Sequence, residues 1–177
     1  NGQYTYRYMQ EGDYASSGLG WKNITDDGWG VQLTNKASTD AVTSELCTYI
    51  NNMPIVSTAY MFANSKATIT NLSNFDTSNV ASMRAMFYAT QTTTLDLSGF
   101  NTSNVTDMAS MFSGSQVTTL NLNNFDTSNV TDMTCMFRES QATTINLSSF
   151  NTSNVVTMEL MFYESQVEFL DLSSFNT

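Results

Sequence analysis

The 177-residue sequence contains no histidine, a single proline and only two cysteines. Without histidine it lacks the commonest general base and the commonest zinc ligand of proteins. Serines are abundant, but none has a histidine or lysine partner at the spacing of a catalytic motif, and no glycine-rich phosphate loop is present. We therefore expect a protein that is not an enzyme, with no catalytic residues, no metal site and no cofactor.

Positive charge is also scarce, since six Lys and Arg residues face sixteen Asp and Glu residues, for a formal net charge of −10. A surface of this sign repels phosphate groups, so we do not expect nucleic acid as a partner. No apolar run is long enough to cross a bilayer, and residues 1–3 do not begin a signal peptide. We expect no membrane insertion in this segment, and any signal peptide or anchor to lie outside it.

What the sequence does have is a 25-residue repeat. Phenylalanine, leucine and a Met-Phe pair each recur at this step, as in Phe75, Phe100, Phe125, Phe150 and Phe175, in Leu72, Leu97, Leu122, Leu147 and Leu172, and in Met86-Phe87, Met111-Phe112, Met136-Phe137 and Met161-Phe162. A fixed period of about 20–29 residues with a Leu-x-Leu core is typical of leucine-rich repeats.

Each repeat is predicted to contain one short strand and one short helix. Leu95 and Leu97 alternate with polar residues, which favours a strand. The next apolar residues lie three and four positions apart, which favours a helical stripe, and Asn104 with Asp107 resembles a helix-capping box; the stripe is Val105, Met108, Met111 and Phe112.

Residues 1–54 do not share the repeat, and we expect them to cover its first apolar layer. Residues 38–40 are predicted to cap an amphipathic helix of about ten residues from Ala41 to Ile50, and Pro54 marks the entry to the repeats. The predicted fold is an α/β repeat solenoid, right-handed and leucine-rich-repeat-like, over residues 55–177, with an N-terminal α+β cap over residues 1–54. Cys47 and Cys135 would then lie too far apart for a disulfide bond.

Side chains at equivalent positions are predicted to form columns. The columns are Asn71, Asp96, Asn121, Asn146 and Asp171; Thr94, Thr119, Thr144 and Phe169; and Asn79, Asn104, Asn129 and Asn154. Rows of amides and carboxylates are able to bind sugar hydroxyls or a cation, but Asp96 and Asp171 stand three coils apart and form no calcium cage. We interpret the columns as structural, with side chains that bond to neighbouring turns and backbone groups.

The repeats differ most beside the Met-Phe pair, and these positions supply the candidate ligand-binding residues. They are of the types that dominate binding hot spots; the candidates are Arg84, Tyr88, Arg138, Tyr163 and, on the strand side, Phe169. Neutral drift on a solvated face would give the same variation, so both explanations stay open.

The recurring motif LxLxxFxTSNVxxMxxMF resembles that of the BspA-like leucine-rich-repeat surface proteins of bacteria, over about residues 55–177. Many members carry Gly-Cys-Ser-Ser where this chain has Gly114-Ser115-Gln116, so no cysteine column is expected. The resemblance implies a secreted or wall-attached protein outside the cell that attaches to host proteins, mucus or other cells, and it implies no catalytic residues. Similar segments in bacteriophage proteins imply receptor binding on a bacterium instead.

Three functions are therefore compatible with the sequence. The leading hypothesis is a surface adhesion module that recognises a host protein, mucin or glycan. The alternatives are a structural spacer that projects another domain from the cell surface, and a phage or cell-wall receptor-binding module. End-to-end self-association through the last coil is a further expected contact, because its apolar layer lacks an evident polar cap.

Overall fold

The computed structural model describes residues 2–9, 28–42, 48–69 and 72–176. The strands are β1 (Tyr4–Met9), β2 (Gly28–Leu33), β3 (Tyr49–Ile50), β4 (Met53–Ser57), β5 (Thr119–Asn121) and β6 (Thr144–Asn146). The first four form one sheet in the order β1-β2-β4-β3, in which only the β2–β4 pairing is parallel. Strands β5 and β6 form a second, parallel sheet.

The N-terminal sheet packs on the first repeat and shares its core. Tyr4, Val31 and Leu33 are buried in the same apolar cluster as the side chains of the repeats. The Tyr4 ring meets the Phe75 ring edge to face at 6.1 Å. Strand β4 runs across the predicted boundary between residues 54 and 55, and its last residue, Ser57, pairs with the next repeat. The division into a cap and a repeat domain stays a prediction.

Successive repeats stack in parallel at the 25-residue step. A row of parallel bridges runs through Ser57, Ser82, Asp107, Asp132 and Thr157. Strands β5 and β6 belong to a second row, which Thr144 extends to Phe169. Between the two rows, backbone amides of one repeat bond to carbonyls of the next, as in Ala85 N to Ala109 O at 2.8 Å and Ser110 N to Thr134 O at 2.8 Å. Each repeat is therefore held by hydrogen bonds to its neighbours.

The prediction of an α/β solenoid with an α+β cap is wrong, because no α-helix occurs in the described residues. The segment after each Thr-Ser-Asn-Val motif is a series of turns. Ala85 and Ala89 have positive φ angles of 51° and 48°, which an α-helix does not allow. In the cap, Ala41 makes a parallel bridge to Thr68 and the predicted helix ends in strand β3. Residues 43–47, Cys47 included, lie outside the described residues.

The turns arise because the backbone amides alternate between two kinds of partner. Met86 N and Tyr88 N bond to carbonyls three residues earlier, at 3.1 Å each, whereas Ala85 N and Phe87 N bond to the next repeat. An α-helix would instead join each amide to the carbonyl four residues earlier. Asn104 is accordingly not a helix cap, and its amide bonds across to Ser78 O at 2.6 Å.

Most of the apolar side chains assigned to the interior are buried, as predicted, whereas Leu95 is only half-buried. Leu97, Val105, Met108 and Met111 are at most 4% exposed. Phenylalanine rings stack along the repeats with centroids 5.4–5.8 Å apart and nearly parallel planes, in the column Phe62, Phe87, Phe112, Phe137 and Phe162. Such stacking adds about 0.5–1.5 kcal/mol per pair to the burial of the rings.

The threonine of each Thr-Ser-Asn-Val motif joins its repeat to the next. Thr127 Oγ1 donates to Asn151 O at 2.9 Å and accepts from Asn151 N at 2.8 Å. Thr77 makes the same pair of bonds with Asn101. Both threonines are at most 1% exposed, so their hydroxyls are satisfied inside the protein.

Candidate functional site

Arg84, one of the five candidate residues, lies in a partly buried ion-pair cluster. Its Nη1 atom is 3.4 Å from Asp107 Oδ1 and 3.3 Å from Asp132 Oδ2. The two aspartates are neighbours in the row of parallel bridges, so their carboxylates repel each other. Arg84 is held between them and stabilises the stack, and its assignment as a ligand-binding residue stays a prediction.

Asp107 is the most buried charge in this cluster, with a side chain 10% exposed against 25% for Arg84 and 20% for Asp132. Burial raises the pKa of Asp107, and the charge of Asp132 raises it further. The Ala109 amide, 3.0 Å from Oδ1, and the Arg84 guanidinium act in the opposite direction without cancelling the effect of burial. The folded protein therefore favours the uncharged form of this side chain more than the unfolded chain does.

We expect Asp107→Asn to stabilise the protein at about pH 7 and Arg84→Met to destabilise it by about 1–3 kcal/mol. Asparagine keeps an acceptor for the Ala109 amide and removes the buried charge, whereas Arg84→Met leaves two carboxylates unpaired. The gain from Asp107→Asn should vanish as the pH falls below the ordinary value of 3.8, where Asp107 is protonated in both states. Urea unfolding at both pH values measures it, and lower stability of Asp107→Asn at neutral pH would contradict the assignment.

Arg138 and Tyr163 are brought together on the exposed side of the turns. They occupy equivalent positions in adjacent repeats, and the Arg138 guanidinium lies 5.5 Å from the centre of the Tyr163 ring. Arg138 Nη2 also contacts Glu139 Oε1 at 2.6 Å. The hydrogen bond to Glu164 raises the pKa of Tyr163, so the hydroxyl stays protonated. These four side chains, named here the Arg138–Tyr163 patch, form one exposed polar and aromatic surface.

The other two candidates lie apart from this patch. Tyr88 is 41% exposed and occupies the same position as Arg138, two repeats earlier, with Ser113 between them. Phe169 is 78% exposed but belongs to the other row of bridges, where it pairs with Thr144. The five predicted residues thus include a pair in contact, one residue in the same column, one on the strand side and one in an ion pair.

An open groove of about 520 Å³ lies beside the Arg138–Tyr163 patch. We call it the glutamine groove, and its lining is Gly114, Gln116, Glu139, Gln141, Glu164, Ser165 and Gln166. Sequence reasoning missed it, although the 25-residue step places Gln116, Gln141 and Gln166 in one column. Two carboxylates and three amides give the groove an acidic, strongly hydrogen-bonding lining.

A second open groove, of about 490 Å³, lies between the N-terminal sheet and the third predicted column. We call it the asparagine groove, and its lining is Pro54, Val56, Asn79, Ala81, Asn104, Thr106 and Asn129. Every lining residue is uncharged, in a protein with a net charge of −10.

The outward column of Asp and Asn residues has a structural role, as predicted. Asp96 Oδ1 accepts from Ser98 N at 3.1 Å, and Asn146 Oδ1 accepts from Ser148 N at 3.1 Å. Each side chain thereby closes a turn two residues on. Asn71 lies outside the described residues.

Neither a metal-binding cluster nor a membrane-spanning helix is found in the described part of the chain. There, no three His, Cys, Asp or Glu side chains are grouped to hold an ion. Nor does that part contain a helix of the length and apolarity needed to cross a bilayer. Cys135 is a free, half-buried thiol.

Stacked 25-residue units joined by parallel bridges define a repeat protein with extended, solvent-accessible surfaces. Residues 50–177, well over half of the chain, match the family described as "Mycoplasma protein of unknown function, DUF285". The chain belongs to this family. Neither a curated protein nor a solved structure matches it. Membership supports a bacterial type of repeat protein, whereas the leucine-rich-repeat and BspA-like assignments are not shown.

Proposed function

We propose that this protein is a non-enzymatic binding module of the bacterial cell surface, exposed outside the cell, which attaches to a host protein or glycoprotein through the Arg138–Tyr163 patch. The observation that carries the proposal is the contact between an exposed arginine and an exposed tyrosine beside the glutamine groove. Arginine and tyrosine are the residue types most enriched at the energetic centres of protein interfaces.

The charges of the patch favour a partner with basic side chains. Arg138 is matched by Glu139 at 2.6 Å, so the second carboxylate, Glu164, leaves the groove with net negative charge. A lysine or arginine of a partner would meet that carboxylate, while the glutamines supply hydrogen bonds around it. Protein and glycoprotein ligands meet this requirement better than neutral glycans do.

The proposal is tested by binding of the purified protein to immobilised mucins and extracellular-matrix proteins, measured by biolayer interferometry. The double variant Arg138→Ser, Tyr163→Ser is expected to bind at least about tenfold more weakly. Tyr88→Ser is the matched control, since it removes an exposed tyrosine from the same column outside the patch, and we expect it to bind as the parent does. Arg84 is left unchanged because its loss would destabilise the fold.

Absence of binding to every immobilised surface would contradict the proposal and favour the structural spacer. Equal loss of binding in the patch variant and in the Tyr88→Ser control would indicate that the binding surface lies elsewhere on the turns. Binding only to bacterial cell-wall material would favour the receptor-binding alternative.

A further inference from the structure

We propose that the asparagine groove is a second binding site, which takes an extended, uncharged polysaccharide with about one sugar unit per repeat. This site is separate from the Arg138–Tyr163 patch. The proposal of a sugar site and the proposal of a protein-binding patch can therefore be tested independently. The site rests on three features of the groove: the fixed orientation of its amides, its apolar floor, and the spacing of its polar groups.

Two of the three asparagine amides of the groove are held in one orientation by the backbone. Asn104 Nδ2 donates to Ser78 O at 2.6 Å, and Asn129 Nδ2 donates to Ser103 O at 2.7 Å. A carbonyl oxygen only accepts, so the NH₂ end of each amide must face the backbone. Each Oδ1 atom receives no hydrogen bond from the described residues and is free to accept from a ligand. The groove thus presents two pre-oriented amide oxygens, one repeat apart.

The floor of the groove is apolar and made of small side chains. Pro54, Val56 and Ala81 form it, and Val56 and Ala81 are only 2% and 6% exposed. At one end, the Tyr49 hydroxyl accepts from Asn79 Nδ2 at 3.1 Å, and the Tyr49 side chain is 54% exposed. A pyranose ring has an apolar C–H face and a polar rim of hydroxyls. A bound pyranose would pack its C–H face on the apolar floor of the groove or on the Tyr49 ring. Its hydroxyl groups would then contact the asparagine amides.

The spacing of the amides favours a sugar chain over an extended peptide. Adjacent parallel strands lie about 4.8 Å apart, and the asparagines repeat once per stacked unit. An extended peptide presents backbone N–H donors on one edge only at every second residue, about 6.6 Å apart. These donors would not stay aligned with amides that repeat about every 4.8 Å. A pyranose unit linked through opposite ring positions advances its chain by roughly one repeat spacing. Successive units are turned over, but each carries hydroxyl groups on both edges, so every unit still offers a hydroxyl to the row of amides. Because no lining residue is charged, the sugar units are uncharged as well.

The site is tested by isothermal titration with two uncharged, linear probe series, cello-oligosaccharides and chito-oligosaccharides of increasing length. The protein is made in a bacterial host, because Asn104-Val105-Thr106 and Asn129-Val130-Thr131 are sequons that a eukaryotic host would recognise. We expect affinity for at least one series to rise with each added unit and to level off at about the length matching Asn79, Asn104 and Asn129.

Asn104→Ala and Asn154→Ala form a matched pair for this experiment. Asn154 Nδ2 donates to Ser128 O at 2.6 Å, as Asn104 does to Ser78, but Asn154 does not line the groove. Both variants therefore lose the same type of backbone bond. We expect Asn104→Ala to weaken binding by about tenfold and Asn154→Ala to leave the dissociation constant unchanged.

Three results would overturn the inference: no binding of either series at millimolar protein and probe concentrations, equal weakening by both variants, or preferential binding of a proline-rich peptide in the groove. The double variant Arg138→Ser, Tyr163→Ser is expected to retain full oligosaccharide affinity. That comparison separates failure of this site from failure of the proposed function.

Discussion

Replacing both Met108 and Met111 with Asp is expected to abolish cooperative folding. Both side chains are 0% exposed. Two carboxylates at these positions would be buried without partners, at an effective cost of several kilocalories per mole each. A domain of this size has a total stability of about 5–15 kcal/mol, so the substitution removes most or all of it. Thermal unfolding followed by circular dichroism should show no cooperative transition.

The control for this experiment is the double variant Val156→Asp, Leu160→Asp. These side chains are 84% and 53% exposed, so the same chemical change adds charge at the surface. Its stability is expected to stay within about 0.5 kcal/mol of the parent. A cooperative melt of the Met108→Asp, Met111→Asp variant near the parent temperature would mean that these methionines do not face the interior.

Phe112→Ala is expected to cost about 3–5 kcal/mol of unfolding free energy. The ring is fully buried and stacks on Phe87 at 5.5 Å and on Phe137 at 5.8 Å, so its removal leaves a cavity between two repeats. The neighbouring repeats are fixed by backbone hydrogen bonds such as Phe112 N to Met136 O at 2.9 Å, which limits how far they can collapse into the space. Equilibrium unfolding in urea measures the loss.

Phe162→Ala provides the comparison, because Phe162 is half-buried and stacks within the described residues only on Phe137, at 5.4 Å. Its loss should cost distinctly less than that of Phe112. Similar costs for the two substitutions would contradict the assignment of Phe112 to a more deeply buried, doubly stacked position.

The repeat and its interior were predictable from the sequence, whereas the local backbone was not. A 25-residue step in Leu, Met and Phe identifies the side chains that share a layer, whatever conformation joins them. The apolar spacing of Met83, Met86 and Phe87 matches a helix, but a chain of turns repeating every few residues produces the same stripe. The positive φ angles at Ala85 and Ala89 could not be predicted from the residue type, since alanine normally favours helices.

The candidate site was only partly predictable, for a related reason. Arg138 and Tyr163 are one 25-residue period apart, so their proximity follows from the repeat. Arg84 was predicted to contact a ligand because arginine is common at interfaces. Asp107 and Asp132, however, lie one period apart, so their like charges are stacked beside each other. This pair of carboxylates indicates that a cation lies nearby, and Arg84 supplies it. The grooves could not be predicted because their depth depends on how far apart the rows of side chains lie. The 25-residue period gives no information about that distance.

The bonds between repeats carry a consequence for how such a chain changes over generations. Each unit presents the same donors and acceptors to the next, as Thr77 does to Asn101 and Thr127 does to Asn151. Loss or duplication of one whole 25-residue unit would therefore replace one junction with an equivalent one. The core tolerates the loss or gain of a unit, while the exposed residues beside the Met-Phe pairs acquire different neighbours. A population can in this way vary the length and the displayed surface together without redesigning the interior.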